Sequence, residues 1–201
     1  MIVLVRHGRT DANARGLLLG RADPELDEEG RSQAARLAAE LATLDVARMV
    51  TSPLVRCRQT ADAIAAGGEA GGRARLHVEV DERWIELDYG AFDGLGTAEV
   101  PAATWARWRA DVAWTPEGGE SLAILGDRVR AACEDLADEA RDRDVVVVTH
   151  VSPVKAAVAW ALGVGDEVAW RMWVAPASIT RIGIAGSSPS LRSFNEVAHL
   201  G

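Results

Sequence analysis

Four consecutive valines at 145–148 constrain the fold of this chain more than any other feature. With Asp144 and Thr149 they make a run that is β-branched and apolar at successive positions, so both faces of the strand it forms have to be covered. Such a strand belongs in the middle of a sheet with helices on either side. The remaining pattern agrees, because short β-rich runs alternate with longer helical ones, as in α/β proteins with a largely parallel sheet. Residues 2–5 read as a second buried strand, 48–52 as a third stopped by Pro53, and 76–80 as a fourth. Residues 178–184 and 191–196 read as closing strands.

Between these runs the helical spacing is clear. Residues 26–44 predict a helix with Asp27 as N-cap and Ala34, Leu37, Ala38 and Leu41 on one face. Pro53 suits the first turn of a helix running to about residue 66. The Gly-rich stretch 67–72 predicts a flexible loop. A helix carrying Trp105 and Trp108 precedes a turn signal at Pro116, Gly118 and Gly119. Residues 121–141 predict a long amphipathic helix, and 154–162 another. The expected architecture is one domain over 1–201, a three-layer α/β/α fold with a mostly parallel central sheet and a small helical cap around 95–120.

Composition narrows the function classes. With 48% hydrophobic and 26% charged residues, the chain is neither disordered nor fibrous. A formal net charge of -8 argues against sequence-independent binding to nucleic acid or an anionic membrane. An acidic protein that handles an anion must therefore gather its arginines locally. The apolar start is interrupted by Arg6 and His7, too early for a signal-peptide core or a membrane span. Cys57 and Cys133 have no metal-ligand spacing and nothing points to an oxidising compartment, so a cytoplasmic protein is expected.

Four segments carry candidate chemistry, each where a strand ends or a loop turns. The first is Arg6, His7, Gly8, Arg9 and Thr10, followed by Asn13. A strand delivers Arg6 and His7 to the carboxyl edge of the sheet, where ligands bind in open α/β folds. Gly8 leaves room for close approach of backbone to an anion. The second is Ser52, Pro53, Leu54, Val55 and Arg56, then Gln59, Thr60 and Ala61. Arg56 lies in a first helical turn, among donors that already favour anions, and its guanidinium suits phosphate oxygens. The third is Glu86, Leu87, Asp88, Tyr89 and Gly90, then Phe92, Asp93 and Gly94. Glu86 is either a general acid or a solvated loop carboxylate. The fourth is Thr149, His150, Val151, Ser152 and Pro153. One histidine after a strand is commonly structural, but two in matching strand-to-helix contexts are harder to dismiss. His77 and His199 lack that context.

These four segments, in this order and spacing, resemble the histidine phosphatase superfamily, which includes cofactor-dependent phosphoglycerate mutases and small broad-range phosphatases. The likeness runs from residue 2 to about 162. It implies a phosphoglycerate mutase-like fold and a phosphohistidine intermediate on His7. Arg6, Arg56 and His150 would surround the phosphoryl oxygens, Asn13 would add a hydrogen bond, and Glu86 would donate and accept the proton. Thr10, Gly20, Tyr89 and Val151 would border the substrate, with Gly20 and Tyr89 near the leaving group. No metal or cofactor is implied, since cationic side chains stand in for a metal. The partner implied is a small-molecule phosphate ester, hydrolysed with an acidic to neutral optimum because Glu86 must carry a proton to act as acid.

Three departures from the family pattern matter. Arg9 stands where relatives often have Glu or Gln, and Val151 replaces a usual Gly after the second histidine. The segment between Glu86 and Ser121 is short, whereas glycolytic mutases carry an insertion there with paired arginines for the substrate's carboxylate. Arg107 and Arg109, separated by Trp108 on a helix, point in different directions. Hydrolysis is thus favoured over the alternative, phosphoglycerate mutase activity. The region of Trp105, Trp108 and Trp114 resembles small phosphatases, and residues 145–162 an α-ribazole phosphatase-like branch, so α-ribazole phosphatase is a specific case. Trp84, Trp105, Trp108 and Trp114 form either an aromatic lid over an organic leaving group or, more simply, the packing of a helical cap. Trp160, Trp170 and Trp173 read as core or as the surface of a homodimer. Cys57 reads as a buried helix position rather than a reactive thiol.

Overall fold

The computed structural model describes residues 1–69, 74–185 and 188–201. The strands are β1 (Ile2–Arg6), β2 (Val46–Thr51), β3 (Val78–Val80), β4 (Asp144–Thr149), β5 (Ile179–Ala185) and β6 (Ser188–Glu196). Among the described residues they form one six-stranded sheet in the order β3-β2-β4-β1-β5-β6. The pairs β3/β2, β2/β4 and β4/β1 are parallel, and β5 and β6 add antiparallel strands at the other side. The four valines lie in β4 between β2 and β1, each with no exposed surface.

Side-chain alternation divides the core into two layers. Val3, Val5, Met49, Val146 and Val148 meet α2 (Glu28–Leu41) and α3 (Val55–Gly67) through Leu37, Leu41 and Ile64. Ile2, Leu4, Val50, Val145 and Val147 meet α5 (Leu122–Ala137) and α7 (Val151–Leu162) through Leu125, Val129, Leu136 and Val154. Two short helices, α1 (Asp11–Ala14) and α6 (Glu139–Asp142), and a longer one, α4 (Ala102–Ala110), complete the set. The three-layer, mostly parallel architecture is the one expected.

Several boundaries differ for physical reasons. Asp27 caps α2 as expected, accepting from Gly30 N at 2.7 Å, but the helix stops at Leu41. Pro53 lies outside α3, which starts at Val55 with Leu54 as a cap that offers no side-chain bond. Conversely Pro153 lies inside the first turn of α7, where the missing N–H costs nothing, so that helix starts three residues before the expected 154. The long helix expected over 121–141 is capped by Ser121 and breaks at Asp138 into α5 and α6. Gly67 ends α3 rather than opening a loop, and 70–72 of the expected Gly-rich loop fall outside the described residues. None of the helices among the described residues is long and apolar enough to cross a membrane.

Gly8 serves a different purpose from the one expected. A Cβ built there would lie 2.4 Å from the carbonyl oxygen of Gly30, so the space belongs to the first turn of α2. A Cβ on Gly30 would meet Arg9 O at 2.0 Å, again backbone. Helix propensity favours alanine over glycine by about 1 kcal/mol, but no rotamer relieves a backbone overlap. Gly30→Ala is therefore expected to destabilise the protein by about 1–3 kcal/mol, read as a lower urea midpoint.

In the 95–120 region, Trp108 is wholly buried. It touches Tyr89, Phe92, Trp105, Trp114 and Trp170 at centroid separations of 5.9, 6.3, 5.6, 5.4 and 5.8 Å. Arg107 stacks over Trp114, whereas Arg109 stacks over Trp105 and Trp170, so the two guanidinium groups are held on different rings. Trp160 and Trp170 pack against the core, while Trp173 is 70% exposed.

Candidate active site

Strand order brings the candidates together. β2, β4 and β1 are neighbours and parallel, so their carboxyl ends deliver Ser52, His150 and His7 side by side. Arg6 pairs with Thr149 across the β1/β4 ladder, which puts each histidine one residue past a paired position. The two imidazole rings meet edge to face with centroids 5.1 Å apart.

The hydrogen bonds define the state of each ring. His7 Nδ1 lies 2.7 Å from the carbonyl oxygen of Gly8. A carbonyl only accepts, so Nδ1 carries a proton, and in the neutral ring Nε2 then keeps the lone pair. For His150, Arg56 Nε donates to Nδ1 at 3.3 Å, and Nε2 donates to Ser52 Oγ at 2.7 Å. An accepting Nδ1 makes His150 neutral by this geometry. Burial first, then the field of Arg56, pushes each imidazole well below its ordinary pKa, and Arg6 adds to both.

The arginines are pinned from several directions. Arg56 is wholly buried and donates from Nη1 to Ala22 O at 2.7 Å and from Nη2 to Gly20 O at 2.9 Å. Three of its nitrogens thus have protein partners, and with five N–H groups in a guanidinium two remain. Arg6 donates from Nη1 to Val174 O at 2.6 Å, while its buried Nε has no partner. An orphaned buried donor calls for an explanation, and an anion supplies one. Burial lowers the Arg6 pKa to about 10, partly offset by Glu86.

Glu86 is 3% exposed and takes part in the start of α7. Its Oε1 accepts from Leu87 N at 2.7 Å and from Ser152 N at 3.2 Å. His150, the N-cap of α7, makes no side-chain cap bond, so Glu86 supplies that acceptor from another segment. Tyr89 Oη is 3.5 Å from Ser152 Oγ, and burial pushes the phenol up so that it stays protonated. Two arginines beside two uncharged imidazoles make this end of the group positive and suited to a dianion.

Some candidates stand elsewhere. Thr10 uses its amide and hydroxyl on Asn13 Oδ1, at 3.1 and 3.0 Å, in the capping box of α1. Gly20 enters through its carbonyl, and a Cβ there would crowd Leu87 O and Tyr89. Val151 and Tyr89 line an adjoining cleft. Arg9 is paired with Asp27 at 2.8 Å, so its charge is compensated away from the histidines. Cys57 is buried beside His150, with Sγ 3.3 Å from Nε2, and burial pushes the thiol up, which leaves it unreactive.

A family model for the histidine phosphatase superfamily (branch 1) matches residues 2–197. The chain belongs to that superfamily. It is 33% identical over 204 residues to a bifunctional protein of Mycobacterium tuberculosis, covering 99% of this chain and 54% of the relative. The chain therefore spans about half the length of the first curated relatives it matches. It is 32% identical to phosphoserine phosphatase 1 of Hydrogenobacter thermophilus, over 100% of this chain and 94% of the other. Among solved structures, a mycobacterial glucosyl-3-phosphoglycerate phosphatase complexed with VO3 superposes with a TM-score of 0.83 at 33% identity, covering 98% of both chains.

Of the residues that hold this site in place, sequence reasoning named Asp93 and Thr60 within candidate segments without giving them a role, and missed Arg128. Asp93 accepts from the amides of Gly20, Arg21 and Ala22 at 2.8, 2.9 and 2.9 Å, which fixes the loop whose carbonyls grip Arg56. Arg128 of α5 donates to the carbonyls of Arg83, Ile85 and Glu86 at 2.6, 2.7 and 3.3 Å and so fastens the segment bearing Glu86. Thr60 accepts from Gly8 N at 3.1 Å. Arg128 gave no signal, being one charge among many on an amphipathic helix. Asp93 did, as a lone carboxylate between turn glycines.

Proposed function

We propose that this chain hydrolyses small phosphate monoesters through a phosphohistidine formed on His7. The observation that carries this reading is the bond from His7 Nδ1 to Gly8 O, which leaves a neutral ring with a free Nε2 lone pair beside His150 and within the field of Arg6 and Arg56. A neutral nucleophile approaches a dianionic ester without the repulsion an anionic one would meet. As Nε2 bonds to phosphorus, the phosphorus–oxygen bond to the alcohol breaks and the Glu86 carboxyl gives its proton to the departing oxygen. The ring becomes cationic, and the Gly8 carbonyl on Nδ1 stabilises that charge. Arg6, the two remaining Arg56 N–H groups and the start of α7 stabilise the charge spread over the equatorial oxygens. His150 holds Arg56 in register through Nδ1. In the second half, the Glu86 carboxylate takes a proton from water as the water oxygen attacks phosphorus, the nitrogen–phosphorus bond breaks, and His7 returns neutral.

Relatives named for phosphoserine and glucosyl-3-phosphoglycerate support a small organic ester as substrate. The separation of Arg107 and Arg109 onto different tryptophans removes a paired-arginine carboxylate grip and favours hydrolysis over mutase chemistry. Steady release of inorganic phosphate from a panel of small esters that includes 2,3-bisphosphoglycerate is expected, and release should persist in EDTA. Interconversion of phosphoglycerate isomers without phosphate release would instead establish a mutase.

A further inference from the structure

Beside Glu86 lies a cleft of about 190 Å³ that the phosphoryl chemistry does not use. Leu18, Leu87, Tyr89, Trp105, Val151 and Trp170 supply its apolar walls, with Leu122 and Ala169. It shares Leu87 and Ser152 with the site, and the amides of both bind Glu86 Oε1, so the cleft opens where the alcohol part of an ester would leave. Its volume corresponds to about six water-sized groups, the scale of a three- or four-carbon alcohol with its substituents.

One lining residue does not fit an apolar wall. Lys155, in the second turn of α7, is half-buried in the cleft, and among the described residues no hydrogen bond or ion pair ends on its ammonium. Arg6, whose field reaches Lys155, is anchored through Nη1 on Val174 O and belongs to the phosphoryl end of the site, while Arg21 is paired with Glu120 and Asp88, Arg128 with Glu120, and Arg107 and Arg109 lie on tryptophan rings. Among the described residues no carboxylate lines the cleft, and the Glu86 carboxyl next to it acts on the ammonium without a hydrogen bond or ion pair between them. A partly desolvated, unpaired ammonium is costly unless an anion completes it.

We infer that Lys155 is a specificity-determining residue that binds a carboxylate on the alcohol portion of the substrate, which makes the substrate class phosphorylated hydroxy acids of small size. The inference rests on the phosphatase reading of the same site and names its leaving group. Burial, the main cause of the lowered Lys155 pKa, is what a bound carboxylate would counter, since it would favour the charged ammonium. The aromatic and aliphatic walls would hold the carbon skeleton, and the ammonium would fix its orientation, leaving the ester oxygen at Glu86.

The test compares two probe esters of matched size, 3-phosphoglycerate and glycerol 3-phosphate, which differ in a carboxylate against a hydroxymethyl group. The wild type is expected to prefer the carboxylated ester in kcat/KM. In Lys155→Met, which keeps length and apolar packing, that preference should fall by about 10- to 100-fold, carried by KM. Lys155→Arg should retain most of it. A wild-type preference at or below one, or a preference unchanged in Lys155→Met, overturns the inference. Hydrolysis of p-nitrophenyl phosphate by the wild type separates the two levels. If that ester is cleaved while the carboxylate preference is absent, the phosphatase reading stands and the role of Lys155 falls. If no ester is cleaved, both fall.

Discussion

His7→Ala is expected to lower kcat/KM for any ester the wild type turns over by at least about a thousandfold and to abolish the acid-labile phosphoenzyme. The effect is large because the substitution removes the reacting atom while leaving its surroundings intact. His7 is 2% exposed, one residue past β1, whose residues 2–5 are wholly buried, so loss of the ring leaves a small cavity rather than a disrupted fold. Arg6, Arg56 and Glu86 keep their anchors on Val174, on Gly20 and Ala22, and on the start of α7. The variant should therefore still bind inorganic phosphate, which separates loss of the nucleophile from loss of the pocket. Rapid quench with labelled ester, followed by acid and alkali treatment, reads the intermediate directly. Retention of the label in His7→Ala and its loss in His150→Ala would transfer the nucleophile to the other histidine.

Acidification is expected to destabilise the folded protein by up to about 3 kcal/mol between pH 7.5 and pH 5.5. The sign follows from the two buried histidines, both held well below their ordinary pKa by burial and by Arg56. In the folded chain both resist protonation as pH falls, whereas in the unfolded chain each takes up a proton near pH 6.5. The unfolded state then binds more protons as pH falls, so the stability is fully present above about pH 7.5 and declines below it. Each histidine contributes at most about 1.4 kcal/mol between these two pH values. Urea titrations at the two pH values measure the difference, and His7→Gln should reduce it by about half. Equal stability at both pH values would mean that the imidazoles are not held neutral.

Much of the fold was readable because buried strands advertise themselves. The valines of β4 and the Ile2–Arg6 run place two central strands, and Asp27 marks the start of α2. The errors came where one residue type permits two outcomes. Pro53 looks like a helix start yet lies outside α3, whereas Pro153, left before the expected helix at 154, lies within α7. The stretch 121–141 has continuous helical spacing, and nothing local reports the break at Asp138. Gly8 was recognisable as a position that must stay small, but its neighbour, the Gly30 carbonyl, is 22 residues along the chain and unknowable from spacing.

The sequence by itself determined the chemistry on offer: two histidines after strands, arginines beside them, and a glutamate in an aromatic turn. Residue type and local context are enough for that, since a strand followed by a helix sets where a side chain emerges. Only the tertiary structure decided which nitrogen of His7 is protonated, that Arg56 is held by the carbonyls of Gly20 and Ala22, and that Lys155 lines the adjoining cleft with no hydrogen-bond or ion-pair partner among the described residues. Those outcomes depend on partners distant along the chain, brought together by strand order and settled by burial, and neither is written in the neighbourhood of any single residue.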